Sequence, residues 1–253
     1  MELCSLHPFD EAVAHEFLQR VSSGALVGSA GPAAGNHIRA RRAFEEIETG
    51  GERGRFELTL ALARELAEHH PTFFQAGICL TSWEARVDRG IGMLMRPPSR
   101  LMIDSGIEPA VARTLPIRLD LSRGMMGGAY IPARLVPDFE LLLEARLERT
   151  VRRLIEAEWD GVEVIGFMME LAAYARGNGL AIFEAMDVVT PNGEAPSIPG
   201  ARVISADRRR LDKEVRKRLE LAAKPPKKPG LWRRLRPKGG DPNGHIDHSE
   251  VGQ

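Results

Sequence analysis

The apolar stretch from residue 159 to residue 189 predicts the centre of the fold. Asp160 is a favourable N-cap for a helix over residues 161–176, and Gly177-Asn178-Gly179 suits the end of that helix. The short apolar run Leu180–Ala185 then predicts a buried strand. Because the helix is apolar on almost every side, we expect it to be buried in the core. Its charged residues are Glu163, Glu170 and Arg176.

Four further segments predict helices, because their apolar residues recur at intervals of three or four. These segments are 8–21, 36–48, 55–70 and 138–159. Pro71 marks the end of the third helix, and Pro137 suits the beginning of the fourth. One apolar stripe runs along the fourth helix through Phe139, Leu143, Leu147, Val151 and Ile155.

Short apolar runs in the middle of the chain predict strands, because glycines and prolines separate them. The runs are 77–81, 91–95, 101–104 and 117–121, and residues 202–205 predict an edge strand. Together these elements predict an α+β fold. In this fold, several helices pack on a small mixed or mainly antiparallel sheet, and the helix at about 161–176 is buried.

The composition of the chain predicts three regions. Residues 1–206 form a single α+β globular domain, and residues 207–223 form a highly charged helix. Residues 224–253 are rich in Pro, Gly and basic side chains, so we expect a disordered tail.

The total charge of zero hides a strong asymmetry. Residues 207–253 contain 14 Lys and Arg against 7 Asp and Glu, a net charge of +7, and the rest of the chain therefore carries −7. All six lysines also lie at or after Lys213. Residues 1–206 are rich in Arg, Ala and Leu but contain no Lys, which is typical of a protein from a GC-rich bacterial genome.

Cysteine use and hydropathy favour a cytoplasmic location. Cys4 and Cys79 show neither the spacing of metal ligands nor a disulfide framework, which fits a reducing compartment. Residues 1–10 lack the basic and apolar regions of a signal peptide. The most apolar window, 161–183, is interrupted by charges and by glycines, so we expect no transmembrane segment.

One candidate ligand site is a turn rich in Arg and Gly at 118–130. Backbone N–H groups of glycines can converge on an anion such as a phosphate, and arginines add positive charge. The alternative is a hairpin or bulge packed by Met125 and Met126, and we favour it because a lone glycine cluster usually marks a turn. The candidate ligand-binding residues are Arg118, Arg123, Gly124, Gly127, Gly128 and Tyr130.

The carboxylate and histidine patterns predict no catalytic or metal site. Glu163 and Glu170 would lie about 10 Å apart along one helix, but a di-metal helix bundle would need Glu-x-x-His pairs, which the sequence lacks. A helix cap and a surface carboxylate explain the pair better. His245-Ile246-Asp247-His248 could hold a metal only loosely, and no motif indicates a cofactor.

The basic tail is a candidate contact surface. Residues 224–238 carry seven basic residues and no acidic one, with Leu231, Trp232 and Leu235 between them. This pattern suits an anionic membrane surface, a protein partner or phosphates, and a solvated tail is the alternative. The candidate contact residues are Lys227, Lys228, Trp232, Arg233, Arg234 and Arg236.

These observations lead to two hypotheses about function. The first is a non-catalytic binding or regulatory module of a bacterial cytoplasm, such as an adaptor or a toxin-neutralising protein. Such a module would bind a protein partner. It would be peripheral at the membrane if its tail binds the lipid surface. The alternative is an enzyme or ligand-binding domain for an anionic, phosphorylated small molecule at 118–130. The sequence does not decide whether the protein catalyses a reaction.

Overall fold

The computed structural model describes residues 3–25, 32–49, 52–76, 78, 80–112, 129–186 and 202–224. Five strands form one open, mixed sheet: β1 (Leu3–Phe9), β2 (Thr72–Ala76), β3 (Tyr130–Ile131), β4 (Ala181–Met186) and β5 (Val203–Ser205). The ten helices of these residues are α1 (Glu11–Ser23), α2 (Pro32–Glu48), α3 (Glu52–His69), α4 (Leu80–Arg86), α5 (Pro98–Asp104), α6 (Pro109–Ala112), α7 (Val136–Ala145), α8 (Leu147–Glu156), α9 (Gly161–Gly177) and α10 (Lys213–Ala223).

The strand order is β3-β4-β1-β2-β5, with β1 at the centre. β1 pairs antiparallel with both β2 and β4, β3 pairs antiparallel with β4, and β5 pairs parallel with β2. The prediction of an α+β fold with a small mixed sheet is therefore confirmed.

Helices cover both faces of this sheet. Leu6 of β1 and Ile182 of β4 belong to one apolar core, which also contains residues of α4 and of α7 to α10. Phe9 and Phe183 belong to a second core, which contains residues of α1 to α3, α5 and α6. Because neighbouring side chains of a strand point to opposite faces, the sheet separates the two cores.

The helix predicted at 161–176 is α9, and its ends form as the sequence indicates. Asp160 is the N-cap, and its Oδ1 accepts hydrogen bonds from the N–H groups of Val162 and Glu163 at 3.0 Å each. The helix ends at Gly177, and Gly179 has the positive φ of 67° that favours glycine. Most of the helix is buried. The following strand, β4, is an inner strand of the sheet.

The largest difference from the predicted elements is β1, which the sequence pattern did not predict; its last two residues, Pro8 and Phe9, lie where the pattern predicted the beginning of the helix 8–21. Pro8 normally argues against an inner strand, because it cannot donate a ladder hydrogen bond. Here the pairing of β1 with β2 ends at Leu6, whereas the pairing with β4 continues to Phe9. The N–H of Glu184 faces β3, where it donates to the carbonyl of Ala129. Backbone N–H groups of a strand point alternately to its two neighbours, so the nitrogens of Leu6 and Pro8 both point towards the β2 side. The pairing with β2 ends at Leu6, so no strand stands opposite the nitrogen of Pro8.

Two short apolar runs that predicted strands are helical. Residues 91–95 begin inside a 3₁₀ turn, Arg89–Met93, and residues 101–104 are the end of α5. A run of four or five apolar residues has too few positions to separate the two periodicities. In the run 77–81, Leu80 and Thr81 begin α4. The run 117–121 lies outside the described residues.

The helix predicted at 138–159 is two helices, α7 and α8, separated at Arg146. Its apolar stripe advances by four residues, so the stripe turns by about 40° per step around an ideal helix. One straight helix would therefore carry the end of the stripe away from the core. The break keeps Phe139, Leu143, Leu147 and Val151 buried, and only the last member, Ile155, is exposed, at 44%.

The residues divide into two compact units, Met1–Ala223 and Lys224–Gln253. In the first unit, α10 packs against α8 and α9. Beyond Lys224 the second unit lies outside the described residues, so the disorder expected for the tail stays a prediction.

Candidate functional site

Of the six candidate ligand-binding residues of the turn at 118–130, the structure describes only Tyr130. Its ring is 3% exposed and makes an edge contact with Phe9, with 6.4 Å between the ring centroids. Burial raises the pKa of Tyr130 to about 12, so its hydroxyl group is neutral at ordinary pH. Arg118, Arg123, Gly124, Gly127 and Gly128 lie outside the described residues, and the anion site stays a prediction.

The six candidate contact residues of the tail also lie outside the described residues. The two glutamates of α9 are described, and they point to different partners. The exposed Glu170 lies 3.9 Å from the guanidinium of Arg210, whereas Glu163 accepts a long hydrogen bond from the N–H of Arg208 at 3.4 Å. Across the described residues, no three His, Cys, Asp or Glu side chains are grouped so that they could hold a metal ion.

Three polar side chains meet inside the second core. Nε2 of His7 lies 2.9 Å from Oγ of Ser5, and Nδ1 lies 3.3 Å from Oγ1 of Thr72. The Ser5 hydroxyl donates to the carbonyl of Ala185 at 3.2 Å, so it accepts from Nε2–H of His7, and Nδ1 accepts from Thr72. Burial lowers the pKa of His7 to about 3 and keeps the ring neutral.

This Ser5–His7–Thr72 cluster has the residue types of a nucleophile and a base, but its geometry serves the fold. All three side chains are at most 1% exposed, so no substrate reaches them. The single hydroxyl proton of Ser5 is directed at a backbone carbonyl, not at the imidazole. The cluster satisfies buried polar groups and ties β1 to β2 and β4.

Glu184 is a second buried polar group; it lies on the inner strand β4 and is 0% exposed. Its Oε2 accepts hydrogen bonds from the backbone N–H groups of Leu80 and Thr81, and Oε1 accepts from the Thr81 hydroxyl at 3.0 Å. The side chain therefore holds the beginning of α4 against the sheet. These bonds direct its oxygens inward, away from any open surface.

An open groove of about 710 Å³ lies between the α7–α8 junction and α10. Leu147, only 6% exposed, forms part of its floor, and Leu221 on α10 is 56% exposed. Its charged lining residues are the cations Arg146, Arg149, Arg152, Lys217 and Arg218 and the carboxylates Glu144, Glu148 and Glu214. We call this surface the α8–α10 groove.

Three of the five cations already have carboxylate partners. Arg218 pairs with Glu144, and Arg152 lies 3.7 Å from Glu148. Arg146 donates to Asp88 at 2.5 Å. Burial opposes the ionisation of Asp88, but hydrogen bonds from Arg146 and from the Gly90 N–H outweigh it and hold the pKa of this carboxyl below its usual range.

The other two cations, Arg149 and Lys217, are exposed and form no hydrogen bond or ion pair with any described residue. They stand on opposite walls of the groove, one on α8 and one on α10, with Leu221 beside Lys217 on α10. The groove therefore offers an exposed apolar side chain together with two positive charges that form no ion pair, of which Arg149 acts on Asp88 only at longer range.

Sequence reasoning did not find this groove. The charged segment 207–223 has a thin apolar line at Leu211, Val215 and Leu219, and Leu219 is 0% exposed, as that line predicts. Leu221 lies off the line, and a leucine outside the apolar stripe of a charged helix was the available signal. That α8 is the facing wall follows only from the tertiary packing.

Comparison of the chain with protein-family models, with curated proteins and with solved structures gave no match in any of the three. In the part of the chain that the structure describes, no helix combines the length and the apolar content needed to cross a bilayer.

Proposed function

We propose that this protein is a non-catalytic binding module that docks a protein partner in the α8–α10 groove. The partner contributes an acidic segment with at least one apolar side chain. The observation that carries the proposal is the exposed Leu221, which lines the groove together with Arg149 and Lys217, two cations that form no ion pair with a described residue.

The composition of the groove is that of a contact surface. Interfaces are enriched in arginine, and their energy concentrates in a few anchors that become fully desolvated on binding. An apolar side chain of the partner would cover Leu221, which is 56% exposed. Carboxylates beside it would pair with Arg149 and Lys217, and such rim pairs steer association and select the partner.

The ion pairs of the groove support the same conclusion. The Arg146–Asp88 and Arg218–Glu144 pairs fix α10 and the α7–α8 junction in place before binding. A pre-formed groove loses little conformational entropy when it binds. An adaptor or a toxin-neutralising protein of a bacterial cytoplasm would act through a surface of this kind, and the chain's composition supports that setting.

Affinity capture with the full chain tests the proposal. The bait carries Arg149→Glu together with Lys217→Glu, or Leu221→Asp alone. A matched control carries Arg39→Glu and Arg42→Glu, which change two exposed arginines of α2 by the same total charge. We expect one protein to be recovered by the wild type and by the control and lost with both groove variants.

The captured protein is then purified and its affinity for each variant is measured directly. The two charge reversals should weaken binding by at least about tenfold, because each pair at an exposed rim contributes roughly 0.2–1 kcal/mol and reversal adds repulsion. Equal affinity for the wild type and both groove variants would refute the groove as the docking surface. So would the absence of any specifically captured protein.

A further inference from the structure

The connection between α9 and β4 contains a chemically reactive pair of residues, Asn178-Gly179. In an Asn-Gly pair, the backbone nitrogen of the glycine can attack the side-chain amide carbon of the asparagine, because glycine has no Cβ to hinder the approach. Both residues are exposed, and nothing lies within 4 Å of the position that a Cβ on Gly179 would take. Water therefore reaches this connection freely.

The reaction at such a pair is deamidation, and its only co-reactant is water. The nitrogen of Gly179 forms a bond to Cγ of Asn178 and gives up its proton, while the bond from Cγ to Nδ2 breaks and ammonia leaves. A cyclic imide remains. Water then opens the imide at either of its carbonyl carbons, which leaves aspartate or isoaspartate at position 178.

The folded end of α9 holds the two reacting atoms apart. The imide closes only when the nitrogen of Gly179 rotates about the Cα–C bond of Asn178 into line with Cβ. In the structure Asn178 has a φ of −108° and a ψ of 3°. A ψ near zero places the Gly179 nitrogen beside the backbone nitrogen of Asn178 instead, so the attack is blocked.

Two backbone hydrogen bonds fix this conformation. The N–H of Gly179 donates to the carbonyl of Arg176 at 3.2 Å, and the N–H of Leu180 donates to the carbonyl of Ala175 at 2.8 Å. Hydrogen bonds of this kind close the C-terminal end of a helix. Rotation of the Gly179 peptide towards Cβ of Asn178 would break them both, so the reaction requires this end of α9 to open.

The side chain of Asn178 is held in the same way. Its Nδ2 donates to the carbonyl of Tyr174 at 2.8 Å, in the last turn of α9. The nitrogen that makes this hydrogen bond is the one that leaves as ammonia. The folded helix therefore stabilises the unreacted side chain as well as the unreactive backbone.

We propose that Asn178 is a deamidation site controlled by the C-terminal end of α9. The reaction is blocked while the α9–β4 connection is closed, and it proceeds when the connection opens. Because helix ends open locally at a lower free energy than the whole domain unfolds, the modified fraction records the time that this connection has spent open.

The products weaken the structure that blocked the reaction. An aspartate at position 178 has no side-chain donor for the carbonyl of Tyr174, and it adds negative charge at the negative end of the helix dipole. Isoaspartate also lengthens the backbone by one methylene group directly before β4, which is an inner strand of the sheet. A modified chain therefore opens more readily than an unmodified one.

Peptide mass spectrometry of the full chain measures the reaction. The protein is incubated at mildly alkaline pH in native buffer and in urea, and the deamidated fraction is followed with time. The pairs Asn192-Gly193 and Asn243-Gly244 of the same chain provide the reference rate in urea. We expect Asn178 to match this reference in urea and to react at least about tenfold more slowly in native buffer.

Two neighbouring substitutions change the opening but leave the reacting atoms in place. Gly177→Ala favours the closed helix end and should slow the native reaction about threefold or more. Leu180→Ala truncates a side chain that is only 5% exposed, and it should speed the native reaction at least about threefold. Each native rate is divided by the rate of the same variant in urea. Gly177→Ala alone suffices if Leu180→Ala does not fold.

Two further variants test the effect of the product. Asn178→Asp and Asn178→Ala both remove the donor to the carbonyl of Tyr174, but only Asn178→Asp adds a charge. We expect Asn178→Asp to have the lower melting temperature.

The proposal is overturned if Asn178 reacts as fast in native buffer as in urea, or if it stays unmodified in urea while the reference pairs react. It is also overturned if neither neighbouring substitution changes the ratio of the two rates. None of the residues of this connection lines the α8–α10 groove, so the inference does not depend on the proposed function.

Discussion

Glu184 and Thr81 are 103 residues apart in the chain, and they are joined by two hydrogen bonds in the interior. The Thr81 hydroxyl donates to Oε1 of Glu184 at 3.0 Å, and the Thr81 N–H donates to Oε2 at 3.3 Å. The N–H of Leu80 donates to the same oxygen. This carboxyl group, 0% exposed on β4, therefore replaces the hydrogen bonds that the beginning of α4 would otherwise make to water.

We predict that Glu184→Ala lowers the free energy of unfolding by roughly 2–4 kcal/mol, because it leaves buried donors of α4 without acceptors. Urea denaturation at pH 7 measures the loss. Glu170→Ala, an exposed glutamate, serves as the control and should change the stability by less than about 0.5 kcal/mol. Equal effects of the two substitutions would contradict this role of Glu184.

The neutral state of His7 predicts a dependence of stability on pH. The pKa of His7 is about 3 in the folded protein, whereas an unfolded histidine has a pKa of about 6.5. Between these values the unfolded chain binds more protons, so stability falls as the pH falls below about 6.5. The slope from this residue approaches about 1.4 kcal/mol per pH unit near pH 5.

Urea denaturation at pH 7.5, 6.5 and 5.5 checks this expectation. His7→Gln should make the protein less stable at pH 7.5 but flatten the pH dependence. A slope that persists in the His7 variant would show that other groups cause it; His70, whose pKa burial also lowers, is the first of these to replace.

We expect the addition of one methyl group to have opposite effects on stability at the two ends of α9. A Cβ at Gly161 would lie 2.5 Å from the carbonyl oxygen of Val151 in α8, whereas nothing lies within 4 Å of a Cβ at Gly177. We expect Gly161→Ala to destabilise the protein by about 1–3 kcal/mol through the displacement of α8. Gly177→Ala should stabilise it by roughly 0.5–1 kcal/mol, because alanine is the better helix former.

Thermal unfolding of both variants, with the wild type alongside, measures the difference. The pair is informative because both substitutions add the same group to the same helix. A Gly161→Ala protein as stable as the wild type would show that α8 and α9 can separate without cost, contrary to the close contact seen here.

The basic tail predicts attachment to an anionic membrane surface. Seven cations between residues 224 and 238, together with Trp232, should bind vesicles that contain phosphatidylserine, at about 1 kcal/mol per charge close to the lipid. Sedimentation with vesicles measures the bound fraction, which should rise with anionic lipid and fall with salt. If Trp232→Ala and the combined change Arg233→Ala and Arg234→Ala both leave the bound fraction unchanged, the tail has no such role.

Some features of the candidate surfaces were accessible from the sequence, and others were not. The charged character of α8 and α10 was visible, as was the cap of α9 by Asp160. The cluster of Ser5, His7 and Thr72 was not, because it forms only when β1 pairs with β2 and β4.

The sequence by itself determined the features that depend on neighbouring residues: the buried helix α9 with both its ends, the strand β4 after it, the edge strand β5, and the mixture of helices and a small sheet. These follow from capping, glycine conformation and periodicity, all of which act within a few residues. The tertiary structure alone decided that residues 3–9 form the central strand, although Pro8 argued against it. It also decided that α7 and α8 separate at Arg146, and that α8 meets α10 to form a groove. In each case the deciding contact joins segments far apart in the chain, and the free energy of burying a shared apolar surface outweighs the local preference.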